Sequence, residues 1–120
     1  MKENVIQKKS FEFALDVIKV YKRLSQDKKE FVLSKQLLRS GTSIGANVEE
    51  AIGAQSKRDF IAKMSIAYKE ARETRYWIKL LIDSDYLSNE HGELLFLKNE
   101  ELVKILSSIQ KTSIDNQIEK

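Results

Sequence analysis

"RSGTSIGANVEEA", Arg39 to Ala51, decides how this chain folds. Two glycines, two serines, a threonine and an asparagine crowd into it, and read locally they signal a loop. The longer pattern says otherwise. Leu37, Leu38, Gly41, Ile44, Gly45, Val48 and Ile52 recur at helical spacing, so one apolar stripe passes straight through the stretch. "GTSIGA" is no phosphate loop either, because it lacks the Gly-Lys-Ser/Thr ending and a strand before it. Gly41 and Gly45 fall on the core face, one turn apart. A glycine inside a helix costs up to ~1 kcal/mol in propensity, a cost that makes sense where another backbone approaches closely. Nearly opposite, Arg39, Ser43, Asn47 and Glu50 stand at i, i+4, i+8 and i+11 as a polar ladder. Such a ladder suits a solvated face. It equally suits a hydrogen-bonded contact with Glu70, Glu73 or Thr74 further along the chain, or a subunit interface.

Outward from this stretch the periodicity predicts three more helices. The first covers about 8–24, on Phe13, Ala14, Val17, Ile18, Tyr21 and Leu24. "SQDKK" is a polar break, and the second helix then covers about 29–55. Ser56 is placed to cap the third, about 57–83, with Asp59 completing an imperfect capping box. "DSDYLS" ends that helix, and Ser88 can cap the fourth, about 89–112. The tail "SIDNQIEK" is expected to fray. The 120 residues contain no proline, and no strand or hairpin signal is visible. The expected architecture is all-α: a single domain over 1–120, folded as an antiparallel up-down four-helix bundle.

A hydrophobic content of 42% supports a core, though so short a chain gains from oligomerising. With no cysteine there is neither a disulfide framework nor a zinc–thiolate site. No segment approaches a membrane span or a signal peptide, so a cytoplasmic location away from membranes is expected. The net charge of +3 is unevenly spread. Residues 1–39 carry ten basic and five acidic groups, residues 57–82 seven and three, and residues 83–120 four and eight. A polyanion would prefer the first two of these blocks.

On a helical wheel the third helix has three faces. Phe60, Met64, Ala67, Ala71, Thr74, Ile78, Leu81 and Ile82 form the core face. Ile66, Trp77 and Leu80 lie on a second arc with Glu70 and Glu73, which suggests a second burial surface. That surface is either another helix of the bundle or a subunit interface, where Trp77 would anchor. A third arc carries Arg58, Lys69, Arg72 and Lys79, with Tyr76 among them and Tyr68 and Arg75 at its edge. Lys and Arg attract phosphates and a tyrosine can stack on an unpaired base, so this arc is a nucleic-acid candidate; a solvated helix face is the plainer alternative.

Catalytic and metal-binding constellations are missing. His91 is the single histidine, Ser43 has no base to activate it, and the bundle carboxylates lack a Glu-x-x-His partner motif. The Arg-x4-6-His spacing of helical ribonucleases does not occur. No enzyme activity and no cofactor or metal are expected.

The run from Arg39 to Leu81, "RSGTSIGANVEEAIGAQSKRDFIAKMSIAYKEARETRYWIKLL", closely resembles the four-helix-bundle family named for 23S rRNA intervening sequences, also called the S23 family. The resemblance rests on Arg-Ser-x-x-Ser-x-x-x-Asn-x-x-Glu-Ala, on Asp59–Phe60, and on Lys-Glu-Ala-x-Glu-Thr-x-Tyr-Trp from Lys69 to Trp77. It implies an up-down bundle assembled into pentameric rings. It also implies kinship with the accessory protein of diversity-generating retroelements, a basic pentameric barrel taken to bind nucleic acid and a reverse transcriptase. It brings no catalytic residues.

The expected function is therefore a non-catalytic homo-oligomer, a pentamer, that binds RNA or DNA. The binding residues would be Arg58, Lys69, Arg72, Arg75 and Lys79, helped by Lys19, Lys22, Arg23, Lys28 and Lys29. Arg39, Ser43, Asn47, Glu50, Glu70, Glu73 and Trp77 are assigned to structure or interface. The alternative is an adaptor for a protein partner, such as a separately encoded enzyme, seated on the second apolar arc.

Overall fold

The computed structural model describes residues 2–119, with side chains described for 5–115. Four helices follow one another: α1 (Lys2–Gln26), α2 (Leu33–Ile52), α3 (Lys57–Asp83) and α4 (Asn89–Glu119). There is no strand among the described residues. The helices lie as an antiparallel four-helix bundle, 52 Å long and about as wide as it is deep. In the ring of neighbours α1 packs on α2, α2 on α3 and α3 on α4, while α4 closes more loosely on α1. The backbones of the diagonal pair α1 and α3 stay well apart.

The expected stripes supply the core. Phe13, Val17 and Leu24 of α1 meet Leu37, Ile44 and Val48 of α2, Met64, Ile78 and Leu81 of α3, and Leu95, Leu102 and Leu106 of α4. Burying each contributes roughly 1.5–3 kcal/mol. Ala67, Ala71 and Thr74 keep the waist of α3 thin and are buried. There α4 inserts a buried Asn99, whose amide donates to the Ala71 carbonyl at 2.9 Å.

The helix through Arg39–Ala51 forms as the periodicity demands, and its glycines do receive a neighbour. A Cβ on Gly45 would lie 3.3 Å from the Ser10 carbonyl oxygen of α1. One on Gly41 would lie 2.8 Å from Val17 Cγ2. Gly92 plays the same part at the start of α4, where a Cβ would collide with Ile82.

Several boundaries differ from expectation, the end of α2 at Ile52 rather than near Gln55 among them, and the start of α2 has a local reason. Helix α2 opens at Leu33 rather than Lys29, because Lys29 takes a left-handed φ of 56° and turns the chain. Glu30 then caps α2 from outside: its carboxylate accepts the backbone N–H groups of Val32, Leu33 and Ser34 at 3.2, 3.1 and 2.7 Å. Partial burial pushes the Glu30 carboxyl up, but these N–H donors outweigh it and hold it below its ordinary value. Helix α4 continues to Glu119, well beyond Thr112, while α1 already starts at Lys2. The caps of the other two helices are as expected. Ser56 Oγ accepts the Asp59 N–H at 3.0 Å, and Ser88 Oγ accepts the His91 N–H at 3.2 Å.

Candidate nucleic-acid interface

The polar ladder of α2 lies along the seam with α3. Arg39 reaches across to Glu70 at 3.3 Å and donates a short hydrogen bond to Glu73. Glu50, at the other end, pairs with Lys63 at 3.0 Å. Between them Ser43 and Asn47 bond within the helix: the hydroxyl donates to the Arg39 carbonyl at 2.6 Å, the amide to the Ser43 carbonyl at 2.8 Å. Beneath this rim the buried hydroxyls of Ser40 and Thr74 share a hydrogen bond of 2.9 Å. The ladder is thus an α2–α3 clamp, half-open to water, with the Arg39 side chain 48% exposed.

Glu73 passes the clamp on to an aromatic pair. The Trp77 indole N–H donates to its carboxylate at 2.9 Å. That bond first, and Arg39 second, hold the Glu73 carboxyl below its ordinary value against the opposing effect of burial. Glu73 in turn raises the affinity of the Arg39 guanidinium for its proton. Trp77 is half-buried against the protomer's own core. Its ring meets that of Tyr76 edge-on, centroids 5.0 Å apart and planes at 72°. Tyr76 is therefore braced from behind yet 57% exposed.

Around Tyr76 the outer face of α3 is cationic. Lys69, Arg72 and Lys79 are exposed and, among the described residues, have no carboxylate partner. With Tyr76 they stand at i, i+3, i+7 and i+10, a stripe of about 15 Å at 1.5 Å per residue. Arg58 is also exposed but sits eleven residues earlier, towards the other end of the helix.

The sequence-predicted basic set is divided by the fold. Arg75 turns inward from the stripe: Nε faces Glu100 Oε1 at 3.0 Å, and the guanidinium lies 5.5 Å from the Phe96 ring centroid. It ties α3 to α4, and its partners lie too far along the chain for the wheel of α3 to show them. Lys19, Lys22 and Arg23 are on α1, diagonal to α3, and Lys28 and Lys29 are in the turn after it. The two basic groups therefore do not merge into one surface on a protomer.

Instead, Lys19 and Arg23 join two residues of α4 that the basic blocks did not single out, His91 and Lys98. They line a cleft of about 170 Å³ between α1 and α4. The α1–α4 seam is bridged by polar contacts at heptad spacing on α1. Lys9 pairs with Glu101 at 3.3 Å and Asp16 with Lys98 at 2.8 Å, while Arg23 Nη1 donates to His91 Nδ1 at 3.2 Å. Among the described residues, no group of three or more metal-ligating side chains converges, and no helix is long and apolar enough to cross a membrane.

Comparison with known proteins agrees with the architecture. The profile of the 23S rRNA-intervening sequence protein family matches residues 2–108. A crystal structure of a protein of unknown function from the S23 ribosomal protein family of Bacteroides thetaiotaomicron VPI-5482 superposes with a TM-score of 0.90. It is 53% identical over 92% of this chain and 99% of that one. A search of curated proteins gives no match. The chain belongs to the family of 23S rRNA-intervening sequence proteins.

Proposed function

We propose that this chain is a non-catalytic, oligomeric nucleic-acid-binding protein that uses the outer face of α3. The observation that carries the reading is the stripe Lys69–Arg72–Tyr76–Lys79: three cations without carboxylate partners among the described residues, around one braced, exposed tyrosine. Cations along a helix track a phosphate backbone, and the tyrosine offers a face for an unstacked base. Arg58 extends the path, while Arg75 is left out because Glu100 holds it. Assembly into a pentamer is part of the proposal. It is supported by apolar side chains left in solvent on α1, where Phe11 is 63% exposed and Leu15 lies one turn further. Trp77, which suits either a contact within the bundle or a ring anchor, packs against the protomer's own core.

The test is fluorescence anisotropy with a labelled single-stranded RNA across a salt series. K69E/R72E/K79E should weaken binding and flatten the slope of log K against log salt by about 2, three phosphates' worth on a single strand. An unchanged slope and affinity would sink the reading.

A second reading, an adaptor for a separately encoded enzyme, draws on the same α1 stripe, which could seat an amphipathic partner helix. Light scattering separates the two. Monodisperse single chains would favour the adaptor; a ring that F11D disperses would favour self-assembly.

A further inference from the structure

The geometry points to a nucleotide subsite in the cleft between α1 and α4: one base on its apolar floor and one phosphate on its cationic rim. The inference rests on the nucleic-acid reading and assigns it a second, separate site. The floor is Val20, Leu94 and the buried Leu95. The rim is Lys19 and Arg23 on one side, His91 and Lys98 on the other. The one acid of the lining, Asp16, is occupied by Lys98 at 2.8 Å. Lys19 and Arg23 have no carboxylate partner among the described residues, so the cleft carries surplus positive charge.

Size narrows the occupant. A volume of 170 Å³ is close to the ~150 Å³ at which an apolar cavity takes up a benzene ring, and well below the ~300 Å³ of sites for larger ligands. One flat ring fits. Donor chemistry narrows it further. Arg23 uses one N–H on His91 Nδ1, leaving four of the five N–H groups of its planar fork. A guanidinium fork beside an ammonium suits a phosphate, and the same fork stacks on a base. The other clefts of this seam lack the combination. The middle one, between Lys9 and Glu101, has both its lysines paired and carries Glu12 besides, and the far one, around Val5, Ile105 and Ile109, is apolar with Lys104 as its cation.

The test is an amide-resonance titration of the intact protein with uridine 5′-monophosphate, uridine, inorganic phosphate and a 5′-phosphorylated RNA hexamer that begins with uridine. The monophosphate should give saturable shifts confined to about Lys19–Leu24 and His91–Lys98, with uridine and phosphate each far weaker. K19E/R23E, two exposed positions, should keep the fold by circular dichroism and lose about tenfold or more in affinity, one decade per 1.4 kcal/mol. Shifts from the hexamer at lower concentration would identify the nucleotide as a chain end, and shifts from the monophosphate alone as a free nucleotide; both support the subsite. No saturable shift would overturn it. So would equal shifts from phosphate alone, or wild-type affinity in K19E/R23E. K69E/R72E/K79E should retain the monophosphate shifts, so failure of the α3 stripe and failure of the cleft are read apart.

Discussion

The seam between α2 and α3 and the seam between α1 and α4 use similar side chains to different ends. Both are crossed by ion pairs. In the first, the pairs roof a layer of buried residues, with Ser40 bonded to Thr74 and Leu37 and Ile78 sealed from water. In the second, Lys9–Glu101 and Asp16–Lys98 span clefts, and Leu94 remains largely in solvent. A crossing charge pair is therefore no guide to how a seam is held. What lies beneath it decides, since exposed pairs contribute little and burial contributes most.

Truncation separates the two seams most directly. Ile78→Ala should cost about 2–5 kcal/mol, whereas Leu94→Ala, on the open seam, should stay within about 0.5 kcal/mol. Urea denaturation of the two variants measures both, and equal losses would erase the distinction. A smaller effect separates the roofs themselves. Both Arg39 and Glu73 are more than a third exposed, so Glu73→Gln is expected to cost only about 0.5–1 kcal/mol at neutral pH after screening. Its pH dependence is diagnostic. The Glu73 carboxyl, bonded by Trp77 and Arg39, titrates below its ordinary 4.5, so the unfolded chain binds the proton more readily. This stabilisation is present above the ordinary value and is lost as pH falls through the folded one. The Gln variant should therefore converge on wild type in acid, as followed by thermal melts from pH 7 to 3. The smallest effect belongs to the open seam. Lys98→Ala should change stability by under about 0.5 kcal/mol, and the difference should vanish in high salt. A loss comparable with Ile78→Ala would mean that the α1–α4 pairs are structural.

What the sequence reveals about these seams follows from how far apart their partners lie. Helix α3 is visible to its ends because its cap, Ser56, and its core stripe are local. The course of α2 through Gly41 and Gly45 is visible because periodicity survives the unlikely residues. The true start of α2 is not, since it depends on the backbone of Lys29 turning left-handed so that Glu30 can reach three N–H groups. The candidate sites divide in the same way. The stripe Lys69–Arg72–Tyr76–Lys79 can be drawn on one helix. The inward turn of Arg75 cannot, because Glu100 and Phe96 belong to another helix, and neither can the meeting of Arg23 with His91, 68 residues away.

The glycines of α2 have a consequence on the far side of α1. Helix α1 lies between α2 and α4, so how deeply it settles against Gly41 and Gly45 also sets how wide it stands from α4. The pair works as a gauge block: its missing side chains fix the jaw opening of the cleft that Lys19 and Arg23 rim. Gly45→Ala, whose methyl would sit 3.3 Å from the Ser10 carbonyl, requires that carbonyl to give by a few tenths of an ångström. If α1 moves with it, the jaw would be adjusted from a residue that never touches it.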